Sequence, residues 1–357
     1  MGCSRSQPDP HVLGHVIPLS GPHRDRGQQA LQGVQLAVEE ANAGDLILGR
    51  KIAVLHADSA GEPKTAAGQA VRLATVNHAE ALLSGINKAE AVEVATAARD
   101  NALIAFNSAG FVGPAPKVVF SLGLSESQRA RAIDWFLSEK LKPTKIAIVS
   151  PADDLSANRF ADELSRRAKD RKLVPTLLHV STDDDIKSAA QKLAESGGAV
   201  VAVLPVDQFL KLREQMVKSG SLPEIIFAGD ESERADLVAR ADSTYFVSDY
   251  ATTSLPADNA FAKKYRDKFH TEPTAEAASA YDMTRLIVAG AREAKGFAPK
   301  TLHDKLIELK DFDGVMGKLT ISPEQTCQGP TFVIQIQAGK EDVRERLEPE
   351  AAQKKSS

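Results

Sequence analysis

The 357-residue chain alternates between two hydrophobic periods. Short runs rich in β-branched and aliphatic residues predict strands at Val12–Ile17, Lys51–Ala57, Ala81–Ser84, Leu103–Phe106, Val118–Ser121, Lys145–Val149, Val174–His179, Ala199–Leu204, Ile225–Phe227 and Thr244–Val247. Between most of them, apolar residues recur at helical spacing. These patterns predict helices at Gln28–Asn42, Lys64–Asn77, Ala89–Asp100, Ser125–Lys140, Asn158–Arg171, Asp184–Ser196 and Gln208–Ser219. Strands alternating with helices of this length imply βαβ units and parallel sheets. Thr182-Asp-Asp-Asp185 ahead of Ile186 reads as a helix N-cap with acids at the positive end of the dipole.

The alternation breaks after Val247. Three helical segments follow, at Asn259–Phe269, Ala275–Glu293 and Lys300–Leu309, and then β-rich stretches at Gly317–Ile321 and Thr331–Gln337. The pattern therefore holds two α/β repeats of about five strands each, with a C-terminal part that must return to one or both. The ends, Met1–Pro10 and Glu348–Ser357, are polar.

Length alone favours two domains. The balance of 44 basic against 48 acidic residues leaves a net charge of −4. Such a balance offers no field for nucleic acid or an anionic membrane. No apolar run reaches the roughly 18–20 residues of a membrane span. The two cysteines, Cys3 and Cys327, form no CxxC pair and no disulfide framework. Cys3 follows Met1-Gly2 and precedes a polar, proline-containing lead. Two readings stand: an acylated lipoprotein cysteine, its signal segment already removed, or an incidental cysteine in an unstructured N-terminus.

Motifs of catalysis are missing from the sequence. There is no GxGxxG, and the strand-to-helix turn Ser20-Gly-Pro-His-Arg-Asp-Arg-Gly27 spaces its glycines six apart. Gly314-Val-Met-Gly-Lys318 is not a P-loop, and neither GxSxG nor HExxH occurs. His11 and His15 share one strand face but lie roughly 13 Å apart, too far to share a metal. The remaining six histidines read as surface or capping residues. Acidic pairs Asp153-Asp154 and Asp230-Glu231 stand where strands end, the edge at which parallel α/β sheets bind ligands. Polar groups at strand ends without a nucleophile–base set point to a binder rather than an enzyme, with no metal and no cofactor.

Six segments in order resemble the type I periplasmic solute-binding proteins of the leucine/isoleucine/valine-binding family. They are IPLSGP…G…GVQLAVEEANA (17–43), LGRKIAVLHADSAGEPKTA (48–66), LLSGINKAEAVEVATAARDNALIAFNSAG (82–110), PTKIAIVSPADDLSANRFADEL (143–164), AYDMTRLIVAGAREA (280–294) and FDGVMGKLTIS (312–322). The resemblance implies an α/β fold of two Rossmann-like lobes with parallel central sheets, joined by three crossovers and closing on a small solute. Lobe 1 would take residues 11–120 and 252–326. Lobe 2 would take 121–251 and 327–347, with 1–10 a disordered lead and 348–357 a polar tail. The crossovers would fall near 121–125, 250–256 and 326–330. The implied protein is an extracytoplasmic, periplasmic receptor, expected as a monomer, that hands its solute to the membrane permease of an ABC importer. Its only contact of its own with a membrane would be a lipid anchor at Cys3. A cytoplasmic ligand-sensing subunit of the amide-sensor type, which shares the fold, is the alternative.

The resemblance also implies where the solute is held. The turn after the first strand, with Ser20, His23 and Arg24, would wall the site and aim helix N–H groups at the guest. The third-strand loop offers Asn87, Lys88 and Ala89, with alanine near the family's carboxylate-binding serine. The fourth-strand loop offers Asn107, Ser108, Ala109 and Gly110, with glycine near the family's threonine. From the second lobe come Asp154, Leu155 in place of an aromatic, Pro205, Asp230, Tyr250 and Glu231, the acid expected to hold a solute ammonium. A thinned hydroxyl clamp beside added donors implies an amino-acid-like or other small carboxylate or amide solute, more polar or larger than leucine. Each residue also has a plainer reading: Arg24 and Lys88 as solvated cations, Asp154 as a helix cap, Tyr250 as packing.

Overall fold

The computed structural model describes residues 8–85, 87–109, 117–220 and 222–349, so Cys3 and Gly110 lie outside the described residues. The chain begins with β1 (His11–Ile17), α1 (Arg24–Ala43), β2 (Ile52–Asp58), α2 (Pro63–Thr75), β3 (Ala81–Ser84), α3 (Lys88–Asp100), β4 (Ile104–Asn107) and β5 (Val119–Ser121). It continues through α4 (Glu126–Phe136), a π-helical turn (Leu137–Leu141), β6 (Ile146–Pro151), α5 (Leu155–Asp170), β7 (Thr176–Val180), α6 (Asp183–Ser196), β8 (Ala199–Ala202), α7 (Val206–Lys218), β9 (Glu224–Phe227), α8 (Arg234–Arg240) and β10 (Thr244–Ser248). Three helices follow, α9 (Ala260–Phe269), α10 (Ala275–Ala294) and α11 (Pro299–Ile307). The last strands are β11 (Phe312–Asp313), β12 (Lys318–Ile321), β13 (Cys327–Gln328), β14 (Thr331–Gln337) and β15 (Lys340–Leu347).

These elements form two compact units. The first comprises residues up to Ser125 plus Leu255–Gly329, the second Glu126–Ser254 plus the chain from Pro330. In the first, five parallel strands run in the order β2-β1-β3-β4-β5. Alternation along β1 sends Leu13 and Ile17 to one face, against Val34 of α1 and Leu286 and Ile287 of α10. Val16 faces the other way, against Leu73 of α2 and Val94 of α3. Each leucine or isoleucine so buried stabilises by roughly 1.5–3 kcal/mol. The glycine at the start of α1 is a packing device: a Cβ on Gly27 would lie 1.7 Å from the Pro18 carbonyl oxygen. Within α10, buried Asp282 accepts the Val315 N–H through both carboxylate oxygens (3.1 and 2.8 Å), which fixes the Gly314–Gly317 turn.

The second unit carries seven strands in the order β15-β14-β10-β9-β8-β6-β7. Its central strands β10, β9, β8, β6 and β7 are parallel, as expected, and β14 and β15 extend one edge antiparallel. The hydrophobic pattern predicts no strand beyond Gln337, yet β15 follows. Ala338 and Gly339, both with positive φ, make the two-residue hairpin turn that starts it. Lys-Glu-Asp-Val-Arg-Glu-Arg-Leu lacks an apolar alternation because one face of this edge strand is exposed and the other only half-buried until Leu347. At the predicted Thr182 cap, the hydroxyl accepts from Asp185 N while Asp185 reaches back, a full capping box.

The histidines need a correction. His56 is not a surface residue: its Nδ1 lies 3.0 Å from His15 Nδ1 across the β1–β2 pairing. Burial, then the facing His56, holds the His15 pKa well below the ordinary histidine range, and burial lowers that of His56. His179 is exposed, as expected, with its Nδ1 3.0 Å from the Ser150 hydroxyl.

Candidate functional site

In both units the strand order reverses once, between β1 and β3 and between β6 and β8. Such switch points, at the carboxyl ends of the strands, are where open α/β sheets leave a crevice. The sequence-selected residues fall on these two edges.

On the first unit's edge, Ser20 follows β1. Its hydroxyl donates to Asp58 at the end of β2 (2.7 Å), and the Leu19 and Ser20 N–H groups donate to the same carboxylate at 2.8 and 3.2 Å. Hydrogen bonds from Ser20, Ala60 and Leu19 outweigh desolvation and lower the Asp58 pKa. The N–H groups of this turn are thus spent on Asp58, an acid the sequence reading did not select. His23 stands at the N-cap of α1 without a side-chain capping bond, and Arg24 is exposed. After β3, Asn87 caps α3 by accepting from Glu90 N (2.8 Å), while Lys88 is half-exposed and Ala89 exposed.

After β4, the Ser108 hydroxyl donates to the Gly85 carbonyl at 2.7 Å, and its N–H to the Ser84 carbonyl at 3.2 Å. Gly85 has φ +146°, and a Cβ there would sit 2.2 Å from Ser108 Oγ, so only glycine fits. In this arrangement Ser108 keeps lone pairs for a guest but no free proton, which argues against a simple hydroxyl clamp on a carboxylate. The Ala109 carbonyl accepts from Ser121. Asn107 is 1% exposed, and its buried amide nitrogen has no partner among the described residues.

On the second unit's edge, Asp154 after β6 caps α5 by accepting from Ser156 N (2.9 Å) and Ala157 N (3.0 Å), the plainer of its two readings. Leu155 is 66% exposed, and Pro205 after β8 stands exposed at the N-cap of α7. Asp230 is half-buried. The charged centre of this edge lies at the adjacent ends of β9 and β10. Glu231 there is met by Arg234 at 3.2 Å and by Arg129, from α4, at 4.0 Å. Arg129 also donates to the Gly229 carbonyl (2.9 Å). Arg234 donates to Ser248 Oγ (2.8 Å) and forks onto Glu341 of β15 (2.6 and 2.8 Å). Its guanidinium stacks 4.9 Å above Phe246.

Asp249, the residue after β10, faces this group. Burial, reinforced by the Glu231 charge and opposed by Arg129 and Arg234, pushes its pKa up to about 7. Burial also raises Glu231, against the pull of both arginines. Tyr250 beside it is 5% exposed, its N–H 3.4 Å from Ser248 Oγ. Glu231 is therefore not the bare anion the sequence suggested. Two arginines already compensate it, and Asp249 is the acid held near neutrality. Asp249 adjoined the selected Tyr250 and carried no motif. Arg129 and Arg234 sit on helices, where only the fold shows that they turn to a strand end. Among the described residues, no group of three or more His, Cys, Asp or Glu could hold a metal ion, and no helix is long and apolar enough to cross a membrane.

A family model described as periplasmic binding protein matches residues 10–341. The chain belongs to that family. Among its curated relatives, Leu/Ile/Val-binding protein homolog 3 of Brucella melitensis is 23% identical, over 90% of each chain. Two solved structures share this periplasmic binding protein's fold. The branched-chain amino acid transporter substrate-binding protein LivJ from Streptococcus pneumoniae, in complex with isoleucine, superposes with a TM-score of 0.75 at 23% identity, covering 94% of this chain and 98% of its own. A solute-binding protein of an ABC transporter from R. palustris, in complex with benzoate, gives 0.73 at 19% identity, covering 95% and 97%. The fold is thus the two-lobed α/β fold of type I periplasmic binding proteins, and these relatives are solute binders rather than enzymes.

Proposed function

We propose that this periplasmic binding protein is an extracytoplasmic receptor that delivers a small amino-acid-like, carboxylate or amide solute to the permease of an ABC importer, tethered by a lipid on Cys3. The observation that carries the solute class is the Glu231–Asp249 acid pair between Arg129 and Arg234 at the ends of β9 and β10. A solute amine or amide donor meets Asp249 and Glu231, and its arrival favours the ionised form of Asp249. The first unit's own edge offers donors suited to an acidic or carbonyl oxygen: the buried Asn107 amide, with His23, Arg24 and Lys88. Relatives of this fold hold isoleucine in one case and benzoate in another, so the fold by itself leaves the solute open.

The test is calorimetry on ligand-stripped protein against amino acids, their amides and aromatic acids. Leucine, isoleucine and valine are expected to bind more weakly than the roughly micromolar range, and a more polar or larger acid more tightly. Glu231→Gln should weaken an amine-bearing solute at least about tenfold, a loss of roughly 1.4 kcal/mol. Tight, stoichiometric leucine binding would overturn the selectivity. A panel with no binder at all would overturn the receptor reading.

A further inference from the structure

The second unit contains a cavity of about 260 Å³ on the side away from its switch point. It opens where β6 begins, at Ile146, whereas Asp154 follows the other end of that strand. At about 3.3 Å per residue the two lie roughly 20 Å apart, so the cavity is no part of the carboxyl edge. Its floor is aliphatic: Leu137, Ile146, Leu164 and Ala168, three of them from helices that end here. Its rim is charged. Arg171 and Asp134 cross it as a two-bonded pair (2.6 and 2.8 Å), each neutralising the other. Lys142, also on the rim, makes no ion pair among the described residues, so the rim carries one uncompensated positive charge.

The chain shapes this opening at a cost. Leu137–Leu141 is a π-helical turn, closed by Lys142 N donating to the Leu137 carbonyl at 2.7 Å. Lys142 itself is left-handed, with φ +45°. Widened turns of this kind are rare and recur at functional sites. Here the extra residue swings Lys142 out to the rim and keeps Leu137 on the floor.

We propose that this cavity is a second binding site, separate from the solute site, for a small amphipathic monoanion: an apolar body of six to eight carbons seated on the aliphatic floor, with its carboxylate on Lys142. A volume near 260 Å³ equals roughly nine water molecules at about 30 Å³ each, which sets the size at about ten non-hydrogen atoms. Octanoate has that size and is the probe.

The experiment is calorimetric titration of the full chain with octanoate, with acetate and octanol as head-only and body-only controls. Fluorescence of Trp135, the chain's single tryptophan and the neighbour of Asp134, locates the event. The expected result is one saturable site, with a dissociation constant on the order of 0.1–1 mM for a ligand this small, and a Trp135 response. Acetate and octanol should each bind at least about tenfold more weakly. Lys142→Asn keeps a residue tolerant of the left-handed backbone and should weaken octanoate at least about fivefold. Ala168→Leu fills the floor and should abolish binding. Because Lys142 is exposed, its variant tests the charge even where Ala168→Leu fails to fold. No saturable binding below about 10 mM, octanol binding as well as octanoate, or unchanged affinity in Lys142→Asn would each overturn the proposal.

Discussion

Replacing Asp249 with Asn should stabilise the solute-free protein at alkaline pH and leave it unchanged at acid pH. The acid's pKa is raised from 3.8 to about 7 in the fold, first by burial and then by Glu231. The folded chain therefore holds a proton that the unfolded chain has already released. Its favourable contribution is whole below about pH 3.8 and is lost as pH rises through about 7. Above that, a negative charge sits in a site where Arg129 and Arg234 are already committed to Glu231 and Glu341. Three pKa units at about 1.36 kcal/mol each set a ceiling near 4 kcal/mol. Partial exposure of Asp249 screens this, so a gain of about 2–4 kcal/mol is expected at pH 8. Asparagine has nearly the same shape and no charge, so at about pH 3.5 the two proteins should agree within about 0.5 kcal/mol, and the gap should widen steadily from there to about pH 7. Urea unfolding followed by Trp135 is the assay, because that residue lies in the same unit as Asp249. Equal stability at pH 8, or a variant weaker than wild type there, would show that Asp249 is ionised and satisfied in the native protein.

Three further outcomes are expected. His15 has a depressed pKa, so the folded state resists its protonation and stability should fall as pH drops below about 6.5; His15→Leu should flatten that limb in circular-dichroism melts, and a limb of unchanged depth would count against the pair. Gly85→Ala forces a Cβ to 2.2 Å from Ser108 Oγ at a positive φ and should cost at least about 2–4 kcal/mol, read as a lowered unfolding midpoint. Expressed from its full gene in a bacterium, the protein should partition with membranes through Cys3, and Cys3→Ala should move it to the soluble fraction or leave it unprocessed; a freely soluble, unacylated wild type would refute the anchor.

What could be read in advance follows the range of each interaction. The β1-to-α1 turn, the Thr182 cap and the parallel βαβ units are set by neighbours within a few residues, and period and cap chemistry disclose them. The hairpin to β15 leaves no such trace because neither face of that edge strand is buried before Leu347, so nothing selects apolar residues at alternate positions. The His15–His56 pair joins residues 41 apart, through a register that no local pattern encodes. The charged centre escaped for the same reason: Arg129 meets Gly229 across 100 residues and Arg234 meets Glu341 across 107. Loop residues at strand ends were found because topology alone places them. Ser108 and Ser20 stand at strand ends as the pattern implies, but the partners that take their protons, Gly85 and Asp58, belong to other strands and leave no local trace.

The interleaving of the two units constrains how the chain can be made. The first unit's sheet is complete once β5 has been synthesised, but one of its faces is covered by α10 and α11, which lie beyond residue 255. At roughly 5–20 residues per second, residues 126–254 take on the order of ten seconds to emerge. Throughout that time Leu13, Ile17, Leu83 and Phe106 lack half of their packing partners. The second unit waits longer still, because β10 cannot be flanked until β14 and β15 appear near the end of the chain. Neither half can finish before the other is almost entirely synthesised, so the nascent protein stays loose and sticky for most of its translation, a state that favours chaperone capture and threading through a narrow channel over early collapse.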